Sequence, residues 1–159
     1  MISPIVLVVE PSSKDRELLV LALSRYSVVA VSNRSAALKE AQDADIEAAV
    51  LHTYNCDSGV GEFLDSLRAL VPKLPVVFIV ENPVDNQRWE VFPNSAVIQK
   101  TMGAWKELSE TVESLINATV WDSSWDELRD EVSKLRVANQ TLRSISAKLH
   151  AEVVGDEPQ

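Results

Sequence analysis

The sequence is poor in the residues that build most enzyme sites. One cysteine, Cys56, in 159 residues excludes a disulfide framework and any cysteine-based zinc site, and it suits a reducing, cytoplasmic compartment. Two histidines, His52 and His150, leave little for a histidine-based metal centre, and no metal-ligand pair stands at helical spacing. There is no G-x-S-x-G and no glycine-rich phosphate loop. Catalysis, a bound metal and a cofactor are therefore not expected. With 4 glycines and 7 prolines, the chain is also not loop-rich or disordered. No apolar run approaches the roughly 20 residues a membrane helix needs, and "MISPIVLVVEP" has neither the positive start nor the cleavage site of a secretory leader. The formal net charge of -9 argues against direct nucleic-acid binding, which needs clustered Lys and Arg.

What the chain does have is order. At 46% hydrophobic, it is long enough for one domain with a core plus an extension. "PIVLVV" (residues 4–9), "SVVAVS" (27–32), "IEAAVLH" (46–52), "LPVVFIV" (74–80) and "SAVIQ" (95–99) are short apolar runs of strand type. Amphipathic stretches separate them. Ser12 and Ser13 with Asp15 look like a helix N-cap, and Leu19, Ala22, Leu23 and Tyr26 then share one helical face. "RSAALKEAQDA" reads as a short helix, and "GEFLDSLRALV" as one with Phe63, Leu64, Leu67 and Leu70 on one side. "NPVDNQRWEVF" can start another, with Asn82 as cap and Pro83 in its first turn; "GAWKELSETVESLIN" follows.

Near-continuous apolar strands alternating with helices predict an α/β fold with a parallel sheet covered on both faces. Right-handed crossovers make it doubly wound, and the flavodoxin-like order 2-1-3-4-5 is the common five-stranded solution. Ligands in that order sit at the carboxyl ends of strands one and three, where Glu10 and His52 fall.

Over roughly residues 4–117 this alternation resembles the receiver domain of bacterial response regulators. The residues that carry the likeness are "VLVVEPSSKDRELL", "DIEAAVLHTYNCDSGVGEFLDSLRAL", "LPVVFIVEN" and "AVIQKT". The resemblance implies two acids after strand one that hold magnesium, and these places fall on Glu10 and Pro11. The phosphoacceptor aspartate falls on His52, and the switch hydroxyl ending strand four falls on Val80. The lysine after strand five falls on Lys100, or on Gln99 with a one-residue slip, and Thr101 stands where a proline is expected. Phosphoryl transfer to a carboxylate needs the nucleophile, a divalent metal and a cation clamp. A lone glutamate beside a proline is a poor magnesium site. The pattern implies a pseudo-receiver that keeps the strand ends and has lost the aspartyl chemistry. A structural histidine bonded to a nearby carboxylate, a phosphate acceptor and a pH sensor are the readings open for His52. Asp57 reads as a displaced acceptor or a solvated turn residue, and no flanking cation activates Cys56.

From Trp121 the composition shifts. "WDSSWDELRDEVSKLRVANQTLRSISAKLH" has no glycine or proline, and Trp121, Leu128, Leu135, Leu142 and Leu149 recur every seven residues. With these at d, the a positions are Trp125, Val132, Asn139, Ser146 and Val153, a coiled-coil seam. Leucine at d, Val132 at a and a polar Asn139 at a favour a parallel homodimer, with Glu131 able to reach Arg136 of the other helix. The alternative is a leucine stripe folded back on its own domain. The last residues, Val153, Val154, Gly155, Asp156, Glu157 and Pro158, resemble the junction at which nitrogen-regulator-type enhancer-binding activators pass from a linker helix into an ATPase domain. A frayed polar end is the other reading.

The expected organisation is a receiver-like domain over residues 1–118, a coiled-coil helix over 119–152 and a junction or tail over 153–159. The expected function is phosphorylation-independent regulation and dimerisation in bacterial signal transduction or transcription control, with other signalling or transcription proteins as partners. A small-molecule sensor using the vestigial pocket and a conventional phosphorylated receiver are the alternatives.

Overall fold

The computed structural model describes residues 2–53, 59–82, 92–101 and 103–155, without the side chains of residues 154 and 155. Its elements run β1 (Ile5–Val9), α1 (Ser13–Ala22), β2 (Ser27–Val31), α2 (Arg34–Asp43), β3 (Ile46–Thr53), α3 (Val60–Leu70), β4 (Val76–Val80), β5 (Ser95–Gln99) and α4 (Ala104–Gly155). The five strands form one sheet in the order 2-1-3-4-5, and every pairing is parallel. The fold class expected from the strand–helix alternation is the fold observed.

The period of two along each strand divides the core. Leu7, Ala49, Leu51, Val76 and Phe78 face the buried residues of α2 and α3, Ala37, Ala41, Phe63, Leu64 and Leu67 among them. Val6, Val8, Val50, Val77 and Ile79 pack instead with Leu19, Leu23, Ala104, Leu108 and Val112. β4 is buried along its whole length, as a central parallel strand must be. Local chemistry sets the helix starts. The Ser12 side chain accepts from the Asp15 amide, and Asn33 Oδ1 accepts from the Ala36 amide at 2.8 Å.

Element bounds differ from expectation in places; α1, for one, ends at Ala22, so Tyr26 lies beyond the helix. β3 runs one residue past His52, to Thr53, because pairing continues there: Thr53 is in register with Val80. On α3 the apolar face is Val60, Phe63, Leu64 and Leu67, whereas Leu70 is exposed; the helix ends at Leu70 and turns it away from the sheet. The helix read over 103–117 and the one read over 119–152 form one element. α4 continues through "INATVWDSSW", a stretch with no glycine or proline to end it. The short helix expected from Asn82 and Pro83, the residues Cys56 and Asp57, and the junction residues Asp156 to Pro158 lie outside the described residues.

The chain divides into two compact units, residues 1–119 and 120–159. The first holds the sheet and both core clusters. The second is the remainder of α4, and every described side chain from Val120 to Val153 is exposed. Among the described residues no helix is long and apolar enough to cross a membrane.

Candidate functional site

In an open parallel sheet the strand order reverses at one place, and the loops there diverge to leave a crevice at the carboxyl ends. Here the reversal lies between β1 and β3. Glu10 leaves β1 with its amide bonded to the Val31 carbonyl at 3.0 Å, and its side chain is fully buried. One carboxylate oxygen, Oε1, accepts from the Ser12 amide at 2.9 Å. The other, Oε2, is paired with His52 Nδ1. Arg16 donates to the Glu10 carbonyl at 2.9 Å, which fixes the backbone that aims the carboxylate inward.

His52 is itself buried, 8% exposed, and its Nε2 lies 3.5 Å from Glu81 Oε1, an ion-pair approach rather than a full hydrogen bond. A fully buried carboxylate is strongly disfavoured unless paired and hydrogen-bonded; the imidazole and the Ser12 amide supply both conditions. The Thr53 hydroxyl donates to the Ile79 carbonyl at 3.3 Å, tying β3 to β4 beside the histidine.

Lys100 stands directly after β5, its amide bonded to the Val80 carbonyl at 2.7 Å. Its ammonium group lies 2.8 Å from Asp15 Oδ2 and 3.7 Å from Glu81 Oε1. The bond to Asp15 raises the lysine above its ordinary 10.5; the charges of Asp15, Glu81 and Glu10 add to this, against the opposing effect of burial. Val80 is buried without a hydroxyl, and Pro11 is exposed beside Glu10.

Of the five pocket residues expected from sequence, the structure gathers Glu10, His52 and Lys100 into one charged cluster. It adds Asp15 and Glu81, which sequence reasoning did not single out for the pocket, and Thr53 beside them. Asp15 reads locally as a first-turn acid of α1, and Glu81 as a charge after a strand. The signal that could have found both is a lysine at the ligand-binding edge of the sheet, which calls for acids from neighbouring strand ends.

Three carboxylates, Glu10, Asp15 and Glu81, face one lysine and one imidazole, with Arg16 on the Glu10 backbone. Ligand atoms of Glu10, Asp15 and His52 lie within 4.8 Å of one another. They do not fit magnesium, which takes oxygen donors in near-ideal octahedral geometry. One of the three donors is an imidazole, a second carboxylate holds Lys100, and Pro11 offers no side-chain ligand. An incoming phosphoryl group would meet carboxylates and no carboxylate nucleophile at the end of β3.

No protein-family model matches the sequence, and no curated protein matches it. Solved structures do. A response regulator receiver protein from Sinorhizobium medicae is similar over 73% of this chain and 96% of its own, at 20% identity and a TM-score of 0.63. A response regulator receiver domain protein from Methanospirillum hungatei is similar over 76% and 98%, at 14% and 0.64. A response regulator from Thermotoga maritima, solved in complex with Mg(2+)-BeF, is similar over 70% and 98%, at 21% and 0.59. The fold of the first unit is that of response regulator receiver domains. Identities this low carry the fold alone.

Proposed function

We propose that the chain is a receiver-like regulatory module of bacterial signal transduction that works without phosphorylation and dimerises through the helix of residues 119–152. The observation that carries the first part is the buried Glu10–His52 pair. In the receiver resemblance these two positions are a metal-holding acid and the phosphoacceptor. Here a ring nitrogen occupies the carboxylate oxygen that a metal would need. Val80, at the switch position, has no hydroxyl to sense a modification, and Lys100 is held by Asp15 and Glu81.

The pocket is then a fixed joint of the fold, and signalling proceeds by contacts with other signalling or transcription proteins. Their effect passes along α4, which starts in the second core cluster at Ala104 and runs into the leucine repeat. Residues 153–159 would be the junction to a following domain in a longer activator. The test is incubation with a small phosphodonor and magnesium, read by intact mass. No adduct is the expected result. A phosphoryl adduct that disappears in Asp57→Ala or His52→Ala would establish a conventional receiver and overturn the reading.

The second reading, a sensor of a small charged signal such as a nucleotide-type messenger, would use the groove lined by Asp15, Leu18, Glu81, Lys100, Thr101 and Trp105, where a phosphate would have to compete with two acids for the one lysine. Calorimetry against a nucleotide panel tests it, and silence across the panel would remove it.

A further inference from the structure

Residues 120–155 carry two overlapping repeats. Leu128, Leu135, Leu142 and Leu149 form one column and are each more than half exposed. A two-helix seam needs a second apolar column three or four residues away. On one side that column reads Trp125, Val132, Asn139, Ser146; on the other it reads Ser124, Glu131, Ala138, Ile145. The first is apolar at Trp125 and Val132, polar at Asn139 and Ser146, and apolar again at Val153. The second is polar at Ser124 and Glu131, apolar at Ala138 and Ile145, with Ile145 half exposed, and charged again at Glu152. Neither side is apolar throughout.

We infer that this helix pairs in parallel with a second copy of the chain through a seam that changes sides at Leu135: Trp125 and Val132 accompany the leucines before it, and Ala138 and Ile145 after it. The inference rests on the dimer reading above and deepens it. Charge at the first-half flank supports the partner, and the apolar columns carry the change. In the first half Glu131 stands opposite Arg136 of the second copy, and its contact with Lys134 along its own helix, 3.6 Å between exposed groups, is too weak to prevent that. A uniform seam would next bring Arg143 and His150 against Ala138 and Ile145, which offer no acid. After the change Arg143 and His150 turn outward, and the flanks become Asn139 and Ser146 on one side and Lys134, Thr141 and Lys148 on the other. An antiparallel pair would instead set Arg129 against Arg143 and Arg136 against its own copy, like charge on like.

Moving from one companion column to the other turns the contact face by about 50°, half the 100° or so between the two columns at 3.6 residues per turn. Both registers share the same leucines, so the position of the change can travel along the helix without exposing them. A rotation imposed at the start of the repeat would be taken up there and passed on.

The test uses the full chain with Cys56→Ser and one cysteine at a time: Ala138→Cys, Asn139→Cys, Ile145→Cys or Ser146→Cys, with Val132→Cys as the first-half reference. Disulfide dimers are timed on a non-reducing gel, and each protein is sedimented under reducing conditions. The expected result is cross-linking several-fold faster at 138 and 145 than at 139 and 146, in chains that sediment as dimers. Dimers in which 139 and 146 match or outpace 138 and 145 would keep one uninterrupted seam and overturn the inference while sparing the dimer. Chains that sediment as monomers would overturn the dimer reading itself, and this inference with it.

Discussion

Leucines in the two units of this chain have opposite surroundings. Leu19, Leu67 and Leu108 are fully buried, whereas Leu135 and Leu142 are 66% and 65% exposed. Both sets sit on or beside helices at regular spacing. In the first unit the sheet covers them, and its alternating faces form two closed cores. In the second, nothing within its own stretch of helix covers them. A helix of that length gains its stability from packing an apolar face, so the first unit accounts for its own fold and the second calls for a partner. Stability and assembly should therefore be separable by mutation.

The largest effect expected is in the first unit. Phe78 is fully buried at the centre of the sheet and packs with Phe92, ring centroids 5.8 Å apart. Phe78→Ala should lower unfolding free energy by about 3–5 kcal/mol, measured by urea titration, because the β-sheet around it cannot collapse into the space. A loss near zero would mean that this core is not closed. Next in size is the buried pair. His52→Leu leaves the Glu10 carboxylate buried without its imidazole and should cost about 3 kcal/mol. The double variant Glu10→Leu, His52→Leu should recover most of that, since hydrophobic replacement of a whole buried pair is often tolerated. If the double variant were no better than the single one, the pair would have a role beyond neutralising its own charge.

The strands were legible because each is a short apolar run, and their order was read as the common five-stranded solution for right-handed crossovers. That order alone brought Glu10, His52 and Lys100 to one edge. Asp15 and Glu81 were not legible, since each has a sufficient local reason to be where it is: an acid in the first turn of a helix, and a polar residue after a strand. Only the distances to Lys100, 2.8 and 3.7 Å, give them a shared task. Thr53 was missed because the polar residues after His52 look like a loop, while backbone pairing with β4 continues through it. Residues 103–117 and 119–152 read as two stretches, and they form one helix. The change of composition at Trp121 is a change of environment, from packed to exposed, and does not interrupt backbone hydrogen bonding.

A smaller effect separates the charged rim from the cores. Lys100 is raised above 10.5, first by its bond to Asp15, so the ion pair is fully present at neutral pH. Its contribution is lost as pH rises beyond 10.5 through the folded-state value. Tyr26, raised above 10.0 by burial and then by Glu113, loses stability in the same alkaline window and forms a common background. Lys100→Met should therefore cost under about 1 kcal/mol at pH 7, as expected for a partly exposed pair. It should also flatten the fall of melting temperature above pH 10.5 relative to the parent chain. An unchanged alkaline slope would show that Lys100 does not hold Asp15 in solution.

The smallest expected effect on the fold accompanies the most complete effect on assembly. Leu142 is exposed in its own unit, so Leu142→Asp removes no buried contact there and should leave the melting of the first unit within about 0.5 kcal/mol of the parent. That comparison is made at a concentration where the parent is also monomeric, since association alone would raise its apparent stability. In a seam, the same substitution places two carboxylates against each other in an apolar layer. Sedimentation equilibrium at assembling concentrations should then find monomer for the variant and dimer for the parent. Leu67→Asp would do the reverse, unfolding the first unit through α3 before assembly could be read. A Leu142→Asp chain that stays dimeric would move the interface onto the receiver-like unit, and the exposed leucines would need another explanation.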